Sequence, residues 1–231
     1  MNVASLFSGG KDSTYAVHWA KLKGLNVKCL ITIEPARQDS WMFHRPLIEL
    51  TKVQAKLMNI PQIYVRSSEG VATELFILKQ TLSDAISKYD IEGIVTGALL
   101  SDYQRMRINF IAEELGLPVY SPLWRKDQAE YMRELVRDGF KFIITSISVM
   151  GLSRDFIGKI VDEYIIERII EVAERYGFNP AFEGGEAETL VVEAPLFKGR
   201  IIIKDYNVAS PNPYSFYMSN VEYGVEYYDT W

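Results

Sequence analysis

Residues 8 to 13 read Ser-Gly-Gly-Lys-Asp-Ser and combine several groups that bind phosphate. Adjacent glycines let the backbone approach an anion closely, the serine hydroxyls are donors, and the lysine supplies positive charge. An aspartate would repel a bare phosphate, but it suits a magnesium ion that bridges the two. The segment therefore predicts a phosphate-binding loop that contains a magnesium ligand, Asp12. The loop residues are Ser8, Gly9, Gly10, Lys11, Asp12 and Ser13.

Two well-known phosphate loops do not match this segment. The Walker pattern requires a glycine where Ser5 stands and a serine or threonine where Asp12 stands. The dinucleotide-binding pattern requires separated glycines, whereas here the glycines are adjacent. A plain glycine turn with unrelated polar neighbours is the competing interpretation. The position of the loop between a predicted strand and a predicted helix favours the phosphate-binding one.

A second group of candidates follows the strand predicted at residues 93–97. Because the carboxyl ends of parallel strands share one edge of a sheet, we expect this group beside the phosphate loop. Arg105 offers a fork of donors to a phosphate, although its spacing also fits an arginine on a helix surface. Asp102 is ambiguous, since the first turn of a helix favours acidic residues. The group consists of Gly97, Ser101, Asp102 and Arg105.

An acidic segment near the end of the chain, Glu-Gly-Gly-Glu-Ala-Glu-Thr, contains Glu183, Glu186 and Glu188. Such a run is commonly a solvated acidic turn. Like charges this close repel each other, so the segment needs a cation if it folds into a cleft. The sequence alone leaves both interpretations open.

Strands and helices alternate through the first half of the chain, which predicts a parallel sheet with helices on both faces. The predicted strands cover 2–7, 26–33, 62–66 and 93–97, with another extended segment at 118–124. The predicted helices cover 13–23, 46–58, 69–89 and 104–115. This is an α/β nucleotide-binding architecture, with its binding edge at the carboxyl ends of the strands.

The second half has a looser pattern and predicts a smaller α+β domain. We expect helices at 127–137 and 160–176, a strand at 140–149, and two strands that pair with each other at 190–196 and 199–209. We expect the aromatic tail at 214–231 in the core, with a homodimer interface or a docking surface as alternatives. The predicted domains are residues 1–125 and 126–231.

Composition narrows the functional classes. A net charge of −5 and a pI near 5.2 argue against a long nucleic acid as the main partner. Cys29 is the single cysteine and lies in an apolar run, so we expect it to be a buried side chain rather than a disulfide or a metal ligand. No apolar run approaches the roughly 18 residues that span a bilayer, so we expect a soluble, cytoplasmic protein.

The phosphate loop resembles the S-G-G-x-D-S signature of the PP-loop ATP pyrophosphatases. These enzymes split ATP into AMP and pyrophosphate while they adenylate an oxygen of the substrate. Residues 97–124 and 183–201 resemble the signature segments of the diphthine–ammonia ligase family, which performs the last step of diphthamide synthesis. The three segments occur in the family's order and extend over most of the chain.

The resemblance implies the fold of that superfamily, with a Rossmann-like nucleotide-binding domain and a smaller C-terminal domain. It also implies ATP and Mg²⁺ as cofactors, and elongation factor 2 carrying diphthine as the protein partner. Free ammonium is the implied nitrogen donor, and Glu183 or Glu186 is the implied residue that binds it and helps to remove its proton. Lys11 and Asp12 are the residues expected to matter most for adenylation.

Two other functions remain in competition. A PP-loop enzyme that modifies tRNA would share the loop, but it would favour a basic surface and, in many thiolases, a cysteine pair. A nucleotide-binding sensor would share the fold without the chemistry. Neither accounts for the acidic segment that contains Glu183 and Glu186.

Overall fold

The computed structural model describes residues 1–34, 47–67, 71–99 and 102–228. They form two compact units, and the chain passes from the first unit to the second between Arg125 and Lys126. The first unit contains a parallel sheet with helices, and the second contains an antiparallel sheet with helices. The predicted mixed α/β fold is therefore confirmed.

The first unit has a sheet of five parallel strands in the order β3-β2-β1-β4-β5. From β1 the chain moves outward on one side through β2 and β3, and then crosses to the other side to form β4 and β5. The strands are β1 Asn2–Leu6, β2 Asn26–Glu34, β3 Gln62–Arg66, β4 Gly93–Val95 and β5 Val119–Tyr120. The helices are α1 Lys11–Leu22, α2 Thr51–Met58, α3 Val71–Tyr89 and α4 Asp102–Glu114.

The central strands of this sheet are mainly apolar because both of their faces are largely buried. Burial of this apolar surface is the main force that holds the helices against the sheet. One cluster joins the sheet to α3 and α4 through buried side chains that include Ala4, Cys29, Ile31, Leu82, Ile94 and Ile111. The predicted burial of Cys29 is confirmed.

The second unit has a sheet of four antiparallel strands in the order β7-β6-β9-β8. Its strands are β6 Lys141–Ser148, β7 Ala187–Glu193, β8 Gly199–Asn212 and β9 Ser215–Tyr227. Its helices are α5 Gln128–Arg137 and α6 Glu163–Tyr176. Aspartates cap both helices: Asp127 accepts from the N–H of Glu130, and Asp162 accepts from the N–H of Ile165. Because Asp162 is the N-cap, α6 begins at Glu163 rather than at the predicted residue 160.

The prediction that residues 190–196 pair with residues 199–209 is wrong. Strand β7 pairs with β6, whereas β8 pairs with β9. The reason is a tight connection, Pro213 and Tyr214, between Asn212 and Ser215, which face each other across the hairpin. Two-residue loops are the commonest hairpin connections, so this turn decides which strand β8 pairs with.

Two further expectations about extended segments are also wrong. Among its described residues, 214–228, the aromatic tail lies mostly outside the core: Met218 is buried in β9, but Tyr223 and Tyr227 are exposed. The extended segment predicted at 118–124 is shorter, because β5 ends at Tyr120 and a turn follows. In that turn the N–H of Trp124 donates to the carbonyl of Ser121 over 3.1 Å.

The predicted starts of two helices, Pro46 for α2 and Glu69 for α3, lie outside the described residues. Within the described ranges, no helix has both the length and the apolar composition required to cross a membrane.

Candidate active site

The strand order in the sheet of the first unit reverses between β1 and β4. Strands β1 and β4 are neighbours in the sheet, but the chain leaves β1 toward one side and leaves β4 toward the other. Open α/β sheets bind ligands in the crevice outside the carboxyl ends of such strands. The predicted phosphate loop follows β1 at this point, and Gly97 follows β4.

Hydroxyl groups of the phosphate loop hold its backbone in a fixed shape. The N–H of Ser8 donates to the hydroxyl of Ser13 over 3.2 Å, and that hydroxyl donates to the carbonyl of Gly10 over 3.2 Å. The hydroxyl of Thr14 donates to the same carbonyl over 2.8 Å. Gly9 adopts a φ of +79°, which a residue with a side chain rarely tolerates. Hydrogen bonds within the protein therefore fix the shape of the loop.

Lys11 and Asp12, the first two residues of α1, form an ion pair. The Nζ of Lys11 lies 2.9 Å from the Oδ2 of Asp12. The lysine side chain is only 2% exposed, whereas the aspartate side chain is 27% exposed. An ammonium this deeply buried needs polar partners, and the carboxylate is one of them. Asp12 thus neutralises the charge of the lysine and is itself partly exposed.

Gly97 packs directly against the N-terminus of α1. A Cβ atom added to Gly97 would lie 2.6 Å from the carbonyl carbon of Asp12 and 2.7 Å from the nitrogen of Ser13. Both are backbone atoms, so no side-chain rotation would relieve the contact. The loop after β4 approaches the phosphate loop this closely because position 97 is a glycine.

Arg105 stacks on an aromatic ring. Its guanidinium lies 4.2 Å from the ring centre of Trp124, a cation–π distance. Its Nε is buried and has no hydrogen-bond partner among the described residues, and it lies 3.9 Å from the Oδ1 of Asp102. Asp102 itself is mostly exposed at the start of α4. Ser101, the remaining candidate of this group, lies outside the described residues.

A network of polar side chains that the sequence did not indicate lies beside the phosphate loop. Gln54, on α2, donates from Nε2 to the carbonyl of Gly9 over 2.9 Å. Thr32, on β2, donates to the carbonyl of Phe7 over 2.6 Å. Gln62, on β3, donates to the hydroxyl of Thr32 over 2.8 Å and to that of Thr51 over 2.9 Å. The available signal was a glutamine on the buried stripe of a helix, where an apolar residue is the usual choice.

The carboxyl ends of β2 and β3 also carry charge. The Oε2 of Glu34 accepts from the hydroxyl of Tyr64 over 2.9 Å and from the Nε of Arg66 over 2.7 Å. Burial raises the pKa of Glu34, but the hydrogen bonds from Arg66 and Tyr64 outweigh burial and leave the pKa below its ordinary value. Glu34 is therefore a stable anion at neutral pH.

Two titratable groups buried near the sheet are uncharged at neutral pH. Burial lowers the pKa of His18, on α1, to about 4, although the hydrogen bond between its ring and the carbonyl of Thr14 acts to raise it. Burial raises the pKa of the Cys29 thiol to about 12. Neither residue can serve as a charged acid or as a thiolate nucleophile near neutral pH.

In the second unit, the acidic segment forms a turn that Glu186 holds together. Its carboxylate accepts from the N–H of Gly184 over 2.7 Å and from the N–H of Asn179 over 3.1 Å. Glu183 lies in the turn and Glu188 lies on β7, and both are half-buried. Within the part of the chain that the structure describes, no three His, Cys, Asp or Glu side chains form a group that could hold a metal ion.

Comparison with known proteins gives matches along nearly the whole chain. The sequence matches the family profile of the Diphthamide synthase N-terminal domain over residues 1–119 and that of the C-terminal domain over residues 127–218. It is 30% identical over 230 residues to a diphthine–ammonia ligase of Homo sapiens, a match that covers 90% of this chain and 85% of that protein. It is 32% identical over 222 residues to a diphthine–ammonia ligase of Danio rerio, with coverage of 88% and 86%.

A solved structure gives a more distant match. It is described as a predicted subunit of tRNA methyltransferase from Methanocaldococcus jannaschii, and it is 21% identical with a TM-score of 0.42. That match covers 84% of this chain and 98% of the other.

Proposed function

This chain belongs to the diphthamide synthase family, a family of carbon–nitrogen ligases, and from that membership we propose that it is a diphthine–ammonia ligase. The reaction is the ATP-dependent amidation of the diphthine carboxylate on elongation factor 2, with ammonium as nitrogen donor and with AMP and pyrophosphate as products. One observation carries the proposal: the chain combines both family domains with a Ser-Gly-Gly-Lys-Asp-Ser loop at the edge where the strand order reverses.

The chemistry explains why such an enzyme needs ATP. A carboxylate is a poor electrophile and has no acceptable leaving group for attack by ammonia. In the first step an oxygen of the diphthine carboxylate attacks the α-phosphorus of ATP, and the bond to pyrophosphate breaks. In the second step ammonia attacks the carbon of the acyl-adenylate, AMP leaves, and the nitrogen loses a proton as the amide forms.

The phosphate loop supports the first step by electrostatics. Ser8 and Ser13 carry hydroxyl groups on the shaped loop, and the buried ammonium of Lys11 lies at the N-terminus of α1. We assign these groups to the phosphates of ATP, where they stabilise the charge that develops on pyrophosphate.

The donor set at Asp12 fits Mg²⁺. Magnesium is usually held by one or two carboxylates together with the phosphates of the substrate, and the carboxylate of Asp12 is partly exposed beside the loop. Asp12 would hold the ion against the phosphates. A bound Mg²⁺ neutralises phosphate charge and so favours the departure of pyrophosphate.

The group after β4 completes the proposed ATP site. Gly97 allows the loop after β4 to approach α1 closely, and Arg105 stacks its guanidinium on the ring of Trp124. Ser101 and Asp102 stay assigned to the nucleotide because they match the same family segment.

The acidic turn is the proposed ammonium site. Glu183 and Glu186 remain the two candidates for the carboxylate that binds ammonium and accepts its proton. Glu186 accepts two backbone N–H groups, so its carboxylate also fixes the shape of the turn.

A translation factor as substrate places the proposed reaction in the cytoplasm. Self-association through the aromatic strand β9 stays a prediction. The acidic net charge of −5 weighs against tRNA as the substrate.

The decisive experiment identifies the products made from ATP labelled in its adenine ring. The purified protein is incubated with labelled ATP, Mg²⁺ and ammonium, with elongation factor 2 carrying either diphthine or the finished diphthamide. We expect AMP and amidated factor with the diphthine form, and neither with the diphthamide form. ATP binding without turnover would instead indicate a sensor, and turnover that requires tRNA would indicate a tRNA-modifying enzyme.

A further inference from the structure

Gln54 is a fully buried polar residue that contacts the phosphate loop from a different element. It lies on α2, is 0% exposed, and donates from Nε2 to the carbonyl of Gly9 over 2.9 Å. We propose that Gln54 is a positioning residue, which fixes the peptide between Gly9 and Gly10 in the orientation that binds phosphate. This inference rests on the proposed function, because it assigns the loop to the phosphates of ATP.

The geometry of a trans peptide gives this contact its importance. The C=O and N–H of one peptide unit point in opposite directions. When Gln54 holds the carbonyl of Gly9 toward α2, the N–H of Gly10 points away from α2. If that peptide flipped, it would present a carbonyl where an N–H had been, and a carbonyl repels phosphate. Because glycines flank the peptide on both sides, the backbone itself resists such a flip only weakly.

Neighbouring carbonyls of the loop are held as well. The hydroxyl of Thr32 donates to the carbonyl of Phe7 over 2.6 Å, and the hydroxyl of Thr14 donates to the carbonyl of Gly10 over 2.8 Å. Thr14 belongs to the helix that the loop itself begins, whereas Gln54 lies 45 residues from Gly9 in the chain. Gln54 therefore ties the loop to a separate element, α2.

Helix α2 holds Gln54 close to Gly9. Thr51, one turn earlier on α2, donates to the carbonyl of Ile48 over 2.6 Å and accepts from Gln62 over 2.9 Å. A Cβ atom at Gly9 would lie 2.4 Å from the Oε1 of Gln54 and 3.0 Å from the Cγ2 of Thr51. A side chain at position 9 would therefore displace the Gln54 amide that holds the Gly9 carbonyl.

This assignment predicts a selective defect. Loss of the Gln54 donor removes one constraint on the orientation of the Gly10 N–H and leaves the nucleoside part of any ligand untouched. Affinity for ligands that contain phosphate should therefore fall, while affinity for adenosine should stay the same. A residue with a purely structural role would change the two affinities together.

The test compares binding by Gln54→Met with binding by the wild-type protein. Methionine keeps the length and volume of glutamine but cannot donate a hydrogen bond. Calorimetric titration with Mg-ATP, inorganic pyrophosphate and adenosine should give about tenfold weaker binding of the first two and unchanged binding of adenosine. The matched control is Gln80→Met, the same chemical change on the exposed surface of α3, which should bind all three ligands like the wild type.

A second variant keeps the test conclusive if Gln54→Met fails to fold. Gln54→Leu is a second apolar side chain of similar volume that cannot donate to the Gly9 carbonyl, so it should show the same selective loss. Equal binding of Mg-ATP by either folded variant and the wild type would overturn the positioning role alone. Failure of the wild-type protein to bind Mg-ATP would overturn the proposed function and this inference together.

Discussion

Lys11 is a charged side chain enclosed almost entirely by protein, with its ammonium 2.9 Å from the carboxylate of Asp12. A charge held at such a depth is costly unless it is paired, and its place at the start of α1 is where anions bind. We predict that Lys11→Met lowers the rate of AMP formation at least about a hundredfold, because it removes electrostatic stabilisation of the leaving phosphates. Rates are compared with those of Lys21→Met, an exposed lysine of the same helix. A rate near that of the wild type would contradict the role.

Glu183 and Glu186 should respond differently to the same substitution. Glu183→Gln should lower kcat at saturating ammonium about a hundredfold or more, because the amide cannot accept the proton of ammonium. Each carboxylate oxygen of Glu186 accepts one backbone N–H group, and Glu186→Gln replaces one of these oxygens by an NH2 group. The loss of that hydrogen bond should destabilise the turn by about 1–2 kcal/mol. Thermal unfolding and ammonium saturation curves separate the two effects. Full activity of Glu183→Gln at saturating ammonium would exclude it as the base.

The sequence could indicate the residues of the phosphate loop because the residue types within this one short segment are enough to suggest phosphate binding. Glycines, a lysine and an aspartate in sequence are recognisable without knowledge of the fold. Gln54 was not recognisable in this way, because its role depends on α2 lying beside Gly9, 45 residues away. Likewise, no local feature indicates that Arg105 stacks on Trp124.

At the scale of elements, the contact of Gly97 with α1 can be tested by adding a single methyl group. Gly97→Ala would put Cβ within 2.6–2.8 Å of backbone atoms of Asp12 and Ser13, so the N-terminus of α1 must shift. We predict about tenfold weaker Mg-ATP binding and a stability loss of about 1–3 kcal/mol from overpacking. Calorimetry and thermal unfolding measure the two effects.

The matched control for this change is Gly224→Ala on β9. There the added Cβ would meet the flexible end of the Lys204 side chain, 2.9 Å away, which can move aside. This variant should bind Mg-ATP like the wild type. If both alanine variants bound normally, the close approach of Gly97 to α1 would be unimportant for the nucleotide.

The existence of most elements could be predicted from the sequence, but the partners of the later strands could not. Hydrophobic periodicity and capping residues are local signals, so α1, α5 and α6 were recognisable. Strand pairing is non-local, and it depended here on the two-residue turn before Ser215. The aromatic content of β9 suggested burial, but in a strand with solvent on one face large side chains also lie outside.

At the scale of the whole molecule, stability should depend on pH through a buried histidine. The pKa of His18 is about 4 in the folded protein and near its ordinary value of 6.5 when the chain unfolds. Between these values the unfolded chain binds more protons than the folded one, so the free energy of unfolding falls as the pH falls through this window. The loss from this group should reach about 3 kcal/mol by pH 4.

Denaturant unfolding between pH 7 and 4 measures this dependence. His18→Gln cannot gain a proton, so its unfolding free energy should fall less steeply than that of the wild type over the same range. Parallel slopes for the two proteins would mean that His18 does not carry the effect.

The place of β9 in the second sheet has a consequence during synthesis. Of the four strands in that sheet, β9 is the last to be made, yet it lies between β6 and β8. Until it arrives, the nascent chain exposes an unpaired edge of β6, and β8 has no neighbour to pair with. Open edges attract other strands, and domains fold as they emerge from the ribosome. A ribosome stalled after β8 would therefore leave a chain prone to aggregate, whereas the sheet of the first unit would already have all of its strands.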